Sequence, residues 1–241
     1  MQYEKFEYFN YEAYKFEFDG LKAIVVKPNV KPNGKWVYKT EYFTAFPDTQ
    51  NEFLDRGYHL CYNENFTRWA PDSDLERKGR FIKFISKEFG LSEKCIPIGM
   101  SCGGMYAVKT AAKFPELIEA MYIDAPVMNL LSCPCDLGVA KSGFINEFLK
   151  AVNKTMAEVI SYRMHPIDVM HVLVEKDIPI VMVAGDSDTV VPYEENGALL
   201  EKLYTEKGGR LIVHIKKGAD HHPHGLDDPN IIVNEIESFI K

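Results

Sequence analysis

Two side chains able to attack a carbonyl stand next to each other, Ser101 and Cys102, in the stretch CIPIGMSCGGMYAVKTAAKF. Residues 99–103 read Gly-Met-Ser-Cys-Gly, a G-x-S-x-G pattern set between an apolar run that reads as a strand and a run that reads as a helix. A turn this sharp holds its central residue in a strained backbone conformation, and side chains two positions before and after it collide. Glycine is therefore favoured on both flanks. Centred on Ser101, the flanks are Gly99 and Gly103; centred on Cys102, they are Met100 and Gly104, and Met100 would clash. The pattern thus predicts Ser101 as the nucleophile. Cys102 offers its backbone N–H to a developing oxyanion, and the helix expected from Gly103 adds a favourable dipole.

A serine hydroxyl needs a base to take its proton and a carboxylate to orient that base. After a G-x-S-x-G turn the partners follow in the order acid, then histidine. Three of the seven histidines fall in KGADHHPHGLDDP, after the last apolar run. His221 fits best as the base, three residues beyond Gly218, with His222 and His224 as alternatives. The acid should follow IPIVMVAG, where Asp186 and Asp188 are both available. Asp124 is read as a strand-end cap. DHHPH also invites a metal reading. Pro223 stiffens that loop, no second ligand cluster accompanies it, and adjacent histidines seldom converge on one ion, so no metal and no cofactor are expected.

Elements that could position these groups are legible around them. EAYKFEFDGLKAIVVKP reads as a hairpin turning at Asp19-Gly20, WVYKTEYF as a strand, TQNEFLDRG as a short helix and YHLCY as a strand. SDLERKGRFIKFISKEFG has helical spacing, with caps offered by Asp72, Ser73 and Asp74 and an end at Gly90. From there strands and helices alternate: CIPIGM, GGMYAVKTAAKF, EAMYID, IPIVMVAG, NGALLEKLYTEKGG, RLIVHIK and NIIVNEIESFIK. That alternation predicts an α/β protein whose mostly parallel sheet is covered on both faces. The continuous apolar runs IPIVMVA and LIVHI predict strands buried on both sides. Residues 1–241 read as one domain. Residues 126–177 read as a helical, cap-like insertion beside the carboxyl ends of the strands, where open α/β sheets bind ligands.

The net charge of −7 argues against a nucleic-acid partner. The start, MQYEKFEYFNYEAYKFEF, lacks the pattern of a signal peptide, and no apolar run is long enough to span a bilayer. Five cysteines without framework spacing fit a reducing compartment, so a cytoplasmic location is expected. Cys133-Pro-Cys135 by itself carries no function. Arg68 and Trp69 in NENFTRWAPD are candidate pocket walls, Trp69 for a sugar face and Arg68 for an acidic group. The plainer alternative packs Trp69 under its loop and pairs Arg68 with a nearby Asp.

GMSCGG, GDSDTVVP and GADHHPHGL, in that order, resemble the α/β-hydrolases over nearly the whole chain. The resemblance is greatest to compact bacterial hydrolases with a GHHPHSL-like final loop. It implies a serine ester hydrolase acting on a small-molecule ester, with a small acyl group or a carbohydrate-linked one. Within the resemblance, the residue three after the glycine and before xVVP is the acid, which favours Asp188. The chain departs from the family where it reads YKTEYFTAFPD instead of carrying His-Gly, so the second oxyanion donor is expected from a backbone N–H near Glu41 or Tyr42. It departs again where Asp220 stands for the glycine before the base. A peptidase or thioesterase on the same scaffold, or a non-catalytic binding protein, are the alternative readings.

Overall fold

The computed structural model describes residues 2–240. Its nine strands are β1 (Glu4–Tyr8), β2 (Tyr11–Phe18), β3 (Leu21–Val26), β4 (Trp36–Lys39), β5 (His59–Asn63), β6 (Ile96–Met100), β7 (Met121–Asp124), β8 (Ile180–Gly185) and β9 (Leu211–Lys216). They form one sheet in the order β1-β2-β3-β5-β4-β6-β7-β8-β9. Along that order, β1, β2, β3 and β5 pair antiparallel, and every pair from β5 through β4 to β9 is parallel. The chain steps from β4 back to β5, then crosses β4 to reach β6. The loops after β4 and β6 therefore part in opposite directions at the carboxyl edge, which is the place where such sheets hold ligands.

Among the described residues, nine α-helices accompany the sheet: α1 (Asp48–Asp55), α2 (Asp72–Phe89), α3 (Cys102–Lys113), α4 (Ile145–Val152), α5 (Met156–Ser161), α6 (Pro166–Val169), α7 (His171–Glu175), α8 (Gly197–Lys207) and α9 (Pro229–Phe239). Successive strand side chains alternate between faces. Trp36 and Tyr38 of β4 join Phe81 and Ile82 of α2, Ala107 of α3, Leu173 of α7 and Leu200 of α8 in one core cluster. Val37, between them, belongs to the opposite cluster with Leu54 of α1 and Ile232 and Ile236 of α9. A third cluster lies over the β6–α3 turn and joins Trp69, Cys102, Met105 and Tyr106 to Phe148 of α4 and Val159 of α5. Within residues 126–177, α4 and α5 thus cover the carboxyl edge, while Leu173 returns α7 to the sheet as part of the crossover to β8.

Several expectations need correction. The N-terminal stretch adds a strand, β1, that pairs with β2 through a reversal at Phe9, where φ is 47°. α2 begins after Pro71 with no side-chain cap; Asp74 is instead buried beside Arg77 and accepts the Tyr106 hydroxyl at 2.7 Å. Gly90 does end that helix, at φ 66°. β9 is not buried on both faces: it is the edge strand, and its side chains are half-buried or exposed. Among the described residues, no helix is long and apolar enough to cross a membrane.

Candidate active site

Ser101 occupies the turn between β6 and α3 with φ 54° and ψ −118°, a region that L-residues rarely adopt. The turn closes because Gly99 has no side chain: a Cβ there would lie 2.2 Å from the Gly103 carbonyl oxygen. Gly104 is equally constrained, with a Cβ 2.5 Å from Pro126. Gly103, the other flank expected to need glycine, is less demanding, since its Cβ would meet Thr40 Oγ1 at 3.2 Å. The Ser101 N–H donates to the Asp124 carbonyl at 2.9 Å, which ties the turn to the end of β7.

Three distant segments converge on this hydroxyl. His221 Nε2 lies 3.1 Å from Ser101 Oγ, and His221 Nδ1 lies 2.7 Å from Asp188 Oδ2. Asp188 is buried, and its other oxygen accepts the N–H groups of Val190 and Val191 at 2.9 and 2.8 Å. Those bonds hold the carboxylate in one rotamer facing the imidazole. With Asp188 as acceptor, the Nδ1–H tautomer follows, and Nε2 is left to accept from Ser101.

The loop that carries His221 is fastened at three points. Asp186, the alternative acid, accepts the Gly218 N–H at 2.6 Å and does not reach the histidine. Asp220 accepts the N–H groups of Thr189 and His221 at 2.9 and 2.8 Å. Asp124 accepts His224 Nδ1 and the Gly225 N–H, both at 2.7 Å, and the Tyr122 hydroxyl at 2.9 Å. Asp124 is therefore no strand-end cap. It grips a second imidazole beside the first. The His221, His222 and His224 rings, expected to diverge, lie with centroids 4.8 to 5.0 Å apart. Burial, reinforced by the neighbouring imidazoles, lowers the pKa of His222.

A cavity of about 350 Å³ opens onto Ser101. Cys102 lines it, but burial pushes its thiol up to about 11, so the neighbouring hydroxyl, not this thiol, is the group poised to react. Cys102 is also the first residue of α3, where an N–H has no intrahelical acceptor and is free to meet an anion. Of the two residues expected to supply a second N–H, only Tyr42 lines the cavity, and its N–H faces the Glu41 carboxylate at 3.3 Å. What Tyr42 brings to the cavity is its phenol, close to Cys102 and Arg68 and held protonated by burial. Arg68 lines the mouth as expected, yet it is paired with Glu147 of α4 at 2.5 and 2.8 Å. Trp69 does not line this cavity. It is buried against Phe148, and its indole N–H donates to the same Glu147 at 2.9 Å. Cys133 borders the cavity, and all five cysteines are free thiols.

Comparison with known proteins matches residues 81–241 to the sequence profile of the prolyl oligopeptidase family. That span includes Ser101, Asp188 and His221. Among solved structures, a puromycin hydrolase superposes with a TM-score of 0.71 at 15% identity, over 99% of this chain and 38% of that one. A dipeptidyl peptidase 4 from Porphyromonas gingivalis gives 0.70 at 15% identity, over 95% of this chain and 35% of that one. An S-formylglutathione hydrolase from Agrobacterium tumefaciens gives 0.64 at 15% identity, over 99% of this chain and 96% of that one. The chain therefore spans under two-fifths of the first two structures and nearly all of the third. At such identities the likenesses show the fold, which is the α/β-hydrolase fold.

Proposed function

Since the chain belongs to the prolyl oligopeptidase family, we propose that it is a serine hydrolase that cleaves small acyl esters through Ser101, His221 and Asp188. The observation that carries this reading is the pair of distances in one line, 3.1 Å from Ser101 to His221 and 2.7 Å from His221 to Asp188. In the reaction, Ser101 Oγ attacks the carbonyl carbon as its proton passes to His221 Nε2. Asp188 accepts from Nδ1 and stabilises the imidazolium. The oxyanion is met by the Cys102 N–H and the Tyr42 hydroxyl. Collapse expels the alcohol with the proton from His221, and water then releases the acyl group by the same route.

The cavity supports a small, uncharged acyl group. Its walls are mostly apolar, including Ala45, Phe46, Met100, Phe144 and Val190, and among the described residues no carboxylate lines it to receive a substrate amine. Arg68, a permanently charged group in its lining, already has a carboxylate partner. The five free thiols support a reducing compartment, which we take to be the cytoplasm. The family match favours a second reading, hydrolysis of a short blocked peptide.

p-Nitrophenyl acetate tests the proposal. Wild type should show a burst, and mass spectrometry should place the acetyl adduct on Ser101. Ser101→Ala should lose about 10⁴-fold or more in kcat and carry no adduct, with Cys102 still beside it. Retained activity in Ser101→Ala sinks the mechanism. A higher kcat/KM on blocked peptide anilides than on acyl esters selects the peptidase reading.

A further inference from the structure

The loop after β9 turns three imidazoles toward one point. One ring nitrogen from each of His221, His222 and His224 lies within 4.8 Å of those of the other two. Two of the rings are oriented from behind: Asp188 and Asp124, both buried, hold the Nδ1 atoms of His221 and His224 at 2.7 Å. A carboxylate that fixes Nδ1–H and leaves the Nε2 lone pair outward is the outer-shell arrangement that supports metal-bound histidine. The third ring, His222, is exposed and stacked on Phe46 at 5.4 Å, which gives an ion access from solvent.

We propose that His221, His222 and His224 form a site for a borderline divalent transition-metal ion, zinc above all, whose binding switches the hydrolase off. The switching, unlike the binding, rests on the hydrolase reading above. A zinc–nitrogen distance of about 2.1 Å sets tetrahedral nitrogens roughly 3.4 Å apart, so each ring closes inward by no more than roughly 1 Å. Water or the Ser101 hydroxyl, 3.1 Å from His221 Nε2, takes the fourth position. Imidazole ligands select zinc, copper or nickel over magnesium or calcium. The two carboxylates behind the rings offset the charge of the ion. Inhibition follows from a shared lone pair: Nε2 of His221 serves either the ion or the Ser101 proton.

The site is tested with Zn²⁺ and Co²⁺ on the whole chain. Calorimetry on Ser101→Ala, which lacks the nucleophile but keeps the histidines, should show one Zn²⁺ per chain. Co²⁺ should give the visible absorption of a four-coordinate ion. His222→Ala and His222→Gln should each weaken Zn²⁺ binding by at least roughly 10–100-fold, the range that losing even a supporting partner costs. In wild type, Zn²⁺ should inhibit p-nitrophenyl acetate hydrolysis and EDTA restore it. Relative to each protein's own ion-free rate, the inhibiting concentration should rise at least tenfold in His222→Ala. No one-to-one binding by Ser101→Ala, or an affinity in both His222 variants as high as with His222 present, overturns the site. Tight, His222-dependent binding without any hydrolysis to inhibit would keep the site and overturn the hydrolase reading instead.

Discussion

Tyr42 sits at φ 53°, another conformation that L-residues seldom take, and the turn there points its N–H at its neighbour's carboxylate. On the mechanism proposed above, the phenol beside Cys102 and Arg68 takes the place of that N–H as the second oxyanion donor. Tyr42→Phe should therefore lower kcat for acyl transfer by about 10²-fold or more, the usual cost of one oxyanion donor, while the melting temperature barely moves. An unchanged kcat would return the role to a backbone amide. Which residues the fold brings together was largely legible: spacing alone placed Ser101, not Cys102, at the centre of the turn, and Gly99 shows why, since any side chain there meets the Gly103 backbone. Less was legible about what surrounds them. Asp124 reads as an ordinary strand end because its partner, His224, lies a hundred positions later. Trp69 reads two ways, as a sugar platform or as packing under its loop, because sequence does not show which face of a loop is covered, and here α4 covers it.

At the level of elements, the His221 loop can approach the end of β8 only because Gly185 is bare. A Cβ at that position would stand 2.3 Å from the Ala219 carbonyl oxygen and 2.9 Å from that of Asp220. Gly185→Ala should push the segment before His221 away from Ser101 and cost about 10²-fold in kcat/KM, because misplacement near 1 Å is enough for such a loss. Steady-state kinetics with p-nitrophenyl acetate, alongside circular dichroism to verify folding, measure it. The alternating elements from β6 onward follow their hydrophobic periods closely, and Asp19-Gly20 marks its hairpin. β1 escapes because its period-two pattern, with Phe6 and Tyr8 inward, is crowded with glutamates and a lysine at an exposed sheet edge. α6 and α7 escape because helices of four and five residues are too short to display a period.

The whole molecule buries three lysines, Lys39, Lys78 and Lys109, against their chemistry. Burial pushes Lys39 down to about 7, against the pull of Asp124, and pushes Lys78 down to about 7 as well. Lys39 donates to the Ala45 carbonyl at 3.1 Å beneath the active-site turn. A depressed amine pKa means that the unfolded chain binds more protons between pH 7 and about 10, so its penalty is complete below pH 7 and fades as pH rises. Lys39→Met should melt a few degrees higher than wild type at pH 7, and the gap should close toward pH 10; paired thermal melts across that range test it. An opposite trend would mean that the ammonium is better satisfied than its burial implies. The sheet, finally, is unequal from side to side. Ser101 is mounted on β6, deep in the middle, whereas His221 hangs from β9, which has a neighbour on one flank only. Opening free energies run low where apolar cover is thin. Warming such a molecule frays the proton acceptor away from a still rigid hydroxyl, so catalysis dies while most of the polypeptide is intact, and cooling lets one rim zip back to restore it.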